Sequence, residues 1–389
     1  MSQFTDPHLP VSLHFCTSNS WGGLEVYAGT LMAELSSADH RVIAVCAAGS
    51  PLESFLRERR VETVSLPGSA KISLRSIMKV RSIIRAEAVS IVHVHYHRDI
   101  WVASIAIRRN PRIRLFMSIY MGVGRKKDFL HRWVYHRVDA IFTSSKALNE
   151  VLPERYPVPA SKIHYLPYGR YLDRYRQSTA ARESVRAQFN IAPDEIIAGS
   201  MVRLDEGKGV MDFLRSYLYL DKGVQSSTVY LIVGEPTRRS SAGAADSPFE
   251  PGSEEYYRSL REFVELHGLG NRIIFAGYQQ DSVAFFSAMD IFVFPSRDEM
   301  YSLAMLDAMA MSLPVIAARS GGNLLQVREG VNGLLYETGN SEVLAFALAN
   351  CISDPALRAR LGLAARQFVQ SEHRMETVIE RLKKFYFAA

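Results

Sequence analysis

Along the chain, short apolar runs rich in β-branched residues alternate with stretches whose apolar positions recur at helical spacing. In the first half the runs are Val11–Cys16, Arg41–Cys46, Ile91–His95, Ile113–Ile119, Ala140–Thr143 and Lys162–Leu166. In the second half they are Ile196–Val202, Thr228–Val233, Arg272–Ala276, Ile291–Pro295, Val315–Ala318 and Gly333–Tyr336. Most show little apolar–polar alternation, which predicts parallel strands buried on both faces. The stretches between them carry a single apolar stripe. In Gly22–Leu35, for example, Leu24, Tyr27, Leu31 and Leu35 fall on one helical face. Strand–helix alternation of this kind predicts doubly wound α/β sheets.

The alternation forms two series, and between them, over Pro167–Asp194, the rhythm breaks. This predicts a first domain over residues 1–170, a linker over 171–194 and a second domain over 195–365. The closing stretch, 366–389, is expected to pack back towards the first domain, with Met375–Phe387 a basic amphipathic helix. Arg238–Ser253 reads as a surface loop, being rich in Ser, Gly, Ala and Pro. Two α/β domains imply a cleft, a preferred place for a ligand.

Composition narrows the classes. With 389 residues, 48% hydrophobic and 22% charged, the chain is globular rather than disordered. Its three cysteines, Cys16, Cys46 and Cys351, are too scattered for a disulfide framework or a zinc cluster. The start, MSQFTDPHLP, lacks the basic and apolar regions of a secretory leader. No apolar run reaches the ~18 residues of a membrane span; the best, Leu303–Ala318, is cut by Asp307 and Pro314. A cytoplasmic, soluble protein is expected. The net charge of +6 is unevenly placed: residues 1–170 carry 23 Lys and Arg against 13 Asp and Glu. A basic half suggests an anionic partner.

Four segments carry candidate chemistry. In Pro295–Gly333 a strand ends at Phe294, Glu299 lies in the next loop, and a helix is expected from about Tyr301 to Met311. Free amides at a helix start suit a diphosphate. Asp307, eight residues after Glu299, gives a second carboxylate, and two carboxylates beside an anion make sense if both accept hydroxyls of a sugar or ribose. The plainer reading, a favourable helix start and a solvated Asp307, stays open on spacing alone. In Gly199–Gly209 a strand runs into a loop with Arg203 and Lys208, a planar fork and a mobile point charge suited to a diphosphate. An exposed charged turn is the alternative. In Cys16–Glu25 a strand and polar loop lead through Gly22 and Gly23 into a helix, which permits close backbone approach to a ligand. The dinucleotide fingerprint G-x-G-x-x-G is absent there, which disfavours an oxidoreductase. In His93–His97 strand alternation puts His93, His95 and His97 on one side, and a polar cluster at a strand end is favoured over a metal site.

Together these segments resemble the retaining GT-B-fold glycosyltransferases of family 4, or group 1. The E-x7-E element followed by AMAxGxPVIA and a GG turn appears as Glu299, Asp307 and then AMAMSLPVIAARSGG. The R-x4-K pair appears as Arg203 and Lys208, and the GGxE turn as Gly22, Gly23 and Glu25. The resemblance implies a GT-B architecture: two doubly wound Rossmann-like domains facing each other across a cleft. It implies a nucleoside-diphosphate sugar as donor, no cofactor and no metal. Glu299, Arg203 and Lys208 would be catalytic. Donor contacts would come from Gly22, Gly23, Met300, Tyr301, Ser302, Leu303 and Asp307 as well. Three departures stand out: Asp307 replaces the usual Glu, Ser312 the usual Gly, and Tyr120 stands where relatives carry a His that contacts the donor sugar.

The expected activity is hexosyl or N-acetylhexosaminyl transfer, with retention, to a glycan or lipid-linked acceptor of cell-envelope polysaccharide or lipopolysaccharide synthesis. Arg108, Arg109, Arg112, Arg114, Arg125, Lys126 and Lys127 suggest peripheral docking on an anionic membrane surface. A nucleic-acid partner is not expected, because aromatics are not interleaved with the basic residues. The alternative is a sugar-nucleotide-binding protein of the same fold with weak turnover.

Overall fold

The computed structural model describes residues 10–36, 40–67, 72–120, 124–239 and 247–387. It divides into two compact units, Met1–Tyr168 with Glu376–Ala389, and Gly169–Met375. Each is built on one parallel sheet. The first sheet has seven strands: β1 (Val11–Cys16), β2 (Arg41–Ala47), β3 (Glu62–Leu66), β4 (Ile91–Val94), β5 (Arg114–Ile119), β6 (Ala140–Thr143) and β7 (Ile163–Tyr165). Their order is β3-β2-β1-β4-β5-β6-β7. The second has six: β8 (Ile196–Met201), β9 (Thr228–Val233), β10 (Ile273–Gly277), β11 (Ile291–Phe294), β12 (Val315–Ala318) and β13 (Leu334–Tyr336). Their order is β10-β9-β8-β11-β12-β13.

The apolar runs form these strands because helices cover both faces. Every residue of β1, β4, β9, β11 and β12 is buried. The expected strands are found with ends shifted by at most one residue. One more, β3, pairs with the outer side of β2; its sequence ETVSL is half-exposed until Leu66. In both sheets the winding direction reverses beside the first strand, between β1 and β4 and between β8 and β11. Doubly wound sheets bind ligands at the carboxyl ends of the strands at such a point.

The stretch 171–194, expected as a linker, belongs instead to the second unit. Ser178 caps the helix Thr179–Gln188, and Arg182 and Arg186 from that helix both pair with Asp290, at 2.7 and 2.8 Å. Asp290 also accepts the Ile197 amide at 2.8 Å, so the helix is tied to the start of β8. The expected end of the second domain at 365 falls inside the 18-residue helix Pro355–Glu372, whose Leu361, Ala365 and Val369 are buried along one face. The second unit closes at Met375, where Arg170 donates its amide to the His373 carbonyl and accepts from the Met375 amide. From Glu376 the chain folds with the first unit: Phe385 packs on Phe142 and His164, and the Tyr386 hydroxyl meets His93 Nδ1.

Candidate active site

In the second unit, β8 and β11 end side by side at the reversal point. The loop after β8 carries Lys208, and the loop after β11 carries Glu299. The two side chains meet, Lys208 Nζ donating to Glu299 Oε2 at 2.8 Å, both about one-fifth exposed. The backbone fixes this encounter. Arg297 donates its amide to the Gly207 carbonyl at 2.9 Å, and its guanidinium holds Asp212 through two bonds of 2.7 Å and one of 3.1 Å. Gly209 sits at φ +65°, and a Cβ there would lie 2.1 Å from the Pro295 carbonyl oxygen. Only glycine allows the two loops to come this close.

Glu299 is held from its other side by the Gly321–Gly322 turn. Gly322 donates its amide to the Glu299 carbonyl at 2.6 Å, and a Cβ on Gly322 would come within 2.0 Å of the Met300 carbonyl oxygen. The helix that follows runs Leu303–Ala310, two residues later than the sequence suggests. Ser302 caps it, Oγ accepting the Met305 amide at 3.1 Å. The buried Gln326 grips the Ser302 backbone from both ends, accepting its amide at 2.7 Å and donating to its carbonyl at 2.9 Å. Tyr301 is buried, its hydroxyl 2.8 Å from His373 Nε2. Glu299, Met300, Tyr301, Ser302 and Leu303 thus lie on one rigid segment leading into a helix start.

The remaining predicted residues divide. Arg203 is exposed and turns to Thr237 and Asp205, at 3.3 and 3.5 Å, rather than to the Lys208–Glu299 pair. Asp307 is held within its own unit: its carboxylate accepts from Arg170 Nε and bonds the Tyr175 hydroxyl. Burial beside this carboxylate pushes the Tyr175 phenol above its ordinary range. The shorter Asp side chain therefore has structural partners that its spacing from Glu299 did not disclose. Arg170, Gln326 and Arg297 lie outside the motifs, and no local pattern marks them.

In the first unit, β1 and β4 end together at the other reversal point. Gly22 caps the helix Gly23–Leu35, and Glu25 folds back to accept its amide at 3.0 Å and the Ser18 hydroxyl at 2.6 Å. Asp99, after β4, accepts the Thr17 amide at 2.8 Å and the Thr17 hydroxyl at 2.5 Å. Burial pushes the Asp99 carboxyl up to about 7, against the pull of those bonds. A Cβ on Gly22 would touch nothing closer than Glu25 Oε2 at 3.5 Å, so this glycine is not required by packing within the unit.

The histidine cluster differs from expectation. β4 stops at Val94, so strand alternation does not extend to His97. The third member is His14, which lies opposite His93 in the β1–β4 register. His14, His93 and His95 are wholly buried, and their ring nitrogens approach within 4.8 Å of one another. They form the only three-residue group of this kind among the described residues. Each ring is committed to hydrogen bonds. His14 joins His95 at 3.0 Å and Ser12 at 2.9 Å; His93 joins Ser118 at 2.9 Å and also Tyr386; His95 joins the Tyr120 hydroxyl at 2.7 Å. Burial holds all three rings well below the ordinary histidine range, His95 down to about 3. All six ring nitrogens are spent on these bonds, so the three rings form a neutral buried network. Tyr120 is its outer member, 8% exposed and stacked on Tyr168.

Two family models match consecutive parts of the chain. The model described as Glycosyltransferase Family 4 covers residues 21–174, and that of Glycosyl transferases group 1 covers residues 181–368. The chain belongs to the group 1 GT-B glycosyltransferases. The second match contains Lys208, Glu299 and the Gly321–Gly322 turn, and the first contains the Gly22–Gly23 turn. Among curated relatives, the D-inositol 3-phosphate glycosyltransferase of Saccharomonospora viridis is 28% identical over 242 residues, 61% of this chain and 53% of that protein. The lipopolysaccharide core biosynthesis glycosyltransferase LpsE of Rhizobium meliloti is 30% identical over 129 residues, 33% of this chain and 38% of that protein. The chain thus spans about half or less of the length of these relatives. Among solved structures, Anabaena HepE in complex with UDP-glucose superposes with a TM-score of 0.80 over 97% of this chain and all of that one. At 18% identity it shows the shared GT-B fold.

Proposed function

We propose that this glycosyltransferase-family chain moves a sugar from a nucleoside-diphosphate sugar to a glycan or lipid-linked acceptor of the cell envelope, with retention and without a metal. The observation that carries the reading is the Lys208–Glu299 pair at the reversal point of the second sheet, next to a capped helix start. An ammonium has three donors, and Glu299 takes one of those of Lys208. The others, with the amides after Ser302, suit the charge that grows on a departing diphosphate. Glu299 retains acceptor capacity for sugar hydroxyls, and Arg203, exposed on the same loop as Lys208, adds a second cation. Asp307, held by Arg170 and Tyr175, orders the floor of the helix and offers its remaining acceptor capacity to a ribose. HepE, crystallised with UDP-glucose, and LpsE, a lipopolysaccharide core biosynthesis enzyme, support the donor and acceptor classes. Replacing Lys208 by Ala is expected to lower turnover by about 100-fold or more while the melting temperature stays within about 2 °C. Turnover within a factor of three of wild type would remove Lys208 from this role.

The acceptor side is assigned to the basic first unit, docked on anionic membrane. Phe129 and Leu130, exposed by 78% and 58%, directly follow Arg125, Lys126, Lys127 and Asp128. Apolar tips beside cations suit a headgroup boundary. Cosedimentation with anionic vesicles at low salt tests this, and an unbound wild type would end it. A second reading, a sugar-nucleotide-binding protein with weak turnover, draws on the engagement of Asp307 and on Tyr120 being tied to His95. It predicts donor binding without nucleotide release.

A further inference from the structure

Beyond the sheet of the second unit, the segments that follow β8 and β9 stay paired. Val202 donates its amide to the Val233 carbonyl and Leu204 to that of Glu235, both at 3.0 Å. Gly234 permits this approach: it sits at φ +141°, and a Cβ there would lie 1.9 Å from the Val202 carbonyl oxygen. Thr237 is thereby brought beside Asp205. Glu250 donates its amide to the Thr237 carbonyl at 2.8 Å, and the helix Pro251–Leu266 starts at the next residue, which brings Ser253 to the same place.

Asp205 orders that junction. Its carboxylate accepts the Thr237 hydroxyl, 2.8 Å from both oxygens, and the Ser253 hydroxyl as well. Its carbonyl accepts the Lys208 amide at 2.9 Å. A hydroxyl has one proton to give and lone pairs to offer. Because the Thr237 proton goes to Asp205, a lone pair is turned to Arg203, whose Nη1 donates to it at 3.3 Å. Arg203 Nε stays 3.5 Å from Asp205, beyond ordinary hydrogen-bond length. The hydroxyl therefore stands between the two charges. The guanidinium is held by one edge without being spent on a close ion pair, and the Arg203 side chain remains 60% exposed.

We propose that Thr237 is a positioning residue for the donor: its hydroxyl, oriented by Asp205, fixes the Arg203 guanidinium so that the exposed edge is preset for an incoming nucleoside diphosphate. The proposal rests on the reading of Arg203 as a diphosphate-binding cation given above. An arginine fork has five N–H donors, and the one given to Thr237 leaves enough for a bidentate grip on phosphate oxygens. Without the hydroxyl, Arg203 has two poorer choices. It can pair closely with Asp205, which spends the fork, or rotate freely, which costs side-chain entropy on binding. Thr237 is given no contact with the donor, so its effect passes through Arg203.

The test is calorimetric titration of UDP, GDP and ADP into wild type, Thr237→Val, Thr237→Ser, Arg203→Ala and the double variant Arg203→Ala with Thr237→Val. Wild type is expected to bind at least one of the three saturably, and Arg203→Ala to weaken that binding about tenfold. Thr237→Val, close in shape but without the hydroxyl, should weaken it about fivefold. Thr237→Ser keeps the hydroxyl and should bind within about twofold of wild type. In the Arg203→Ala background Thr237→Val should change nothing further, because the two residues act as one unit. Three results would overturn the positioning role and leave the donor reading standing: a Thr237→Val affinity equal to wild type, a Thr237→Ser variant as weak as Thr237→Val, or a loss that persists undiminished in the Arg203→Ala background. No saturable binding by any of the three nucleotides, or binding that Arg203→Ala leaves unchanged, would overturn both.

Discussion

The buried histidines should make the first unit acid-sensitive over a window set by their neutrality. His14, His93 and His95 have folded pKa values below the unfolded one, so the unfolded chain binds more protons as pH falls. Their stabilising contribution is therefore complete above the unfolded value of about 6.5 and is lost below it. Between pH 7 and pH 5, each ring that stays neutral in the folded chain removes about 2 kcal/mol of stability. Three rings remove about 6 kcal/mol. Asp99 opposes them. Its folded pKa is raised to about 7, so it takes up a proton in this window while its unfolded counterpart stays ionised, restoring about 2 kcal/mol. The net loss is about 4 kcal/mol, a large share of the 5–15 kcal/mol typical of a domain. The assay is selective because Trp21, Trp101 and Trp133, the three tryptophans, all lie in the first unit. Urea unfolding followed by tryptophan fluorescence at pH 7 and pH 5 should show the loss, and His93→Gln should shrink it by about 2 kcal/mol. A transition whose free energy differs by less than about 1 kcal/mol between the two pH values would refute the neutral network.

Two glycine-linked changes probe the second unit. Gly322→Ala places a Cβ 2.0 Å from the Met300 carbonyl oxygen. It should push the Glu299–Met300 backbone away, reduce donor affinity at least tenfold and destabilise the unit by about 2 kcal/mol or more. Calorimetric titration and chemical unfolding check both. Ser312 occupies the left-handed region at φ +61°. Ser312→Gly should therefore raise stability by about 1 kcal/mol without altering donor affinity, as thermal unfolding would show.

Much of the fold is legible in the sequence because buried parallel strands are written as apolar runs. β3 is missed because an edge strand needs only partial burial, and ETVSL has only two aliphatic residues, Val64 and Leu66. The 171–194 stretch reads as a linker because its anchors, Arg182 and Arg186, bind a carboxylate about a hundred residues away. The Lys208–Glu299 pair is legible in outline, since strand ends locate both loops. Asp307 is not, because Arg170 lies 137 residues from it. The histidine cluster reads as lying on a single strand, whereas its third member comes from the neighbouring strand by register. Long-range partners leave no mark on local spacing; Ser312 at a position usually held by Gly does leave one, and its positive φ accounts for that preference.

The central claim is that the second unit binds a nucleoside-diphosphate sugar through Lys208 and Glu299 and that the chain turns it over. The most direct measurement titrates UDP-, GDP- and ADP-sugars into wild type and Lys208→Ala and follows nucleotide release in the same samples with acceptor extract added. The account predicts saturable binding of one donor class, release of its nucleotide by wild type, and loss of release in Lys208→Ala. Absence of binding by every donor, or release unaffected by Lys208→Ala, would contradict it.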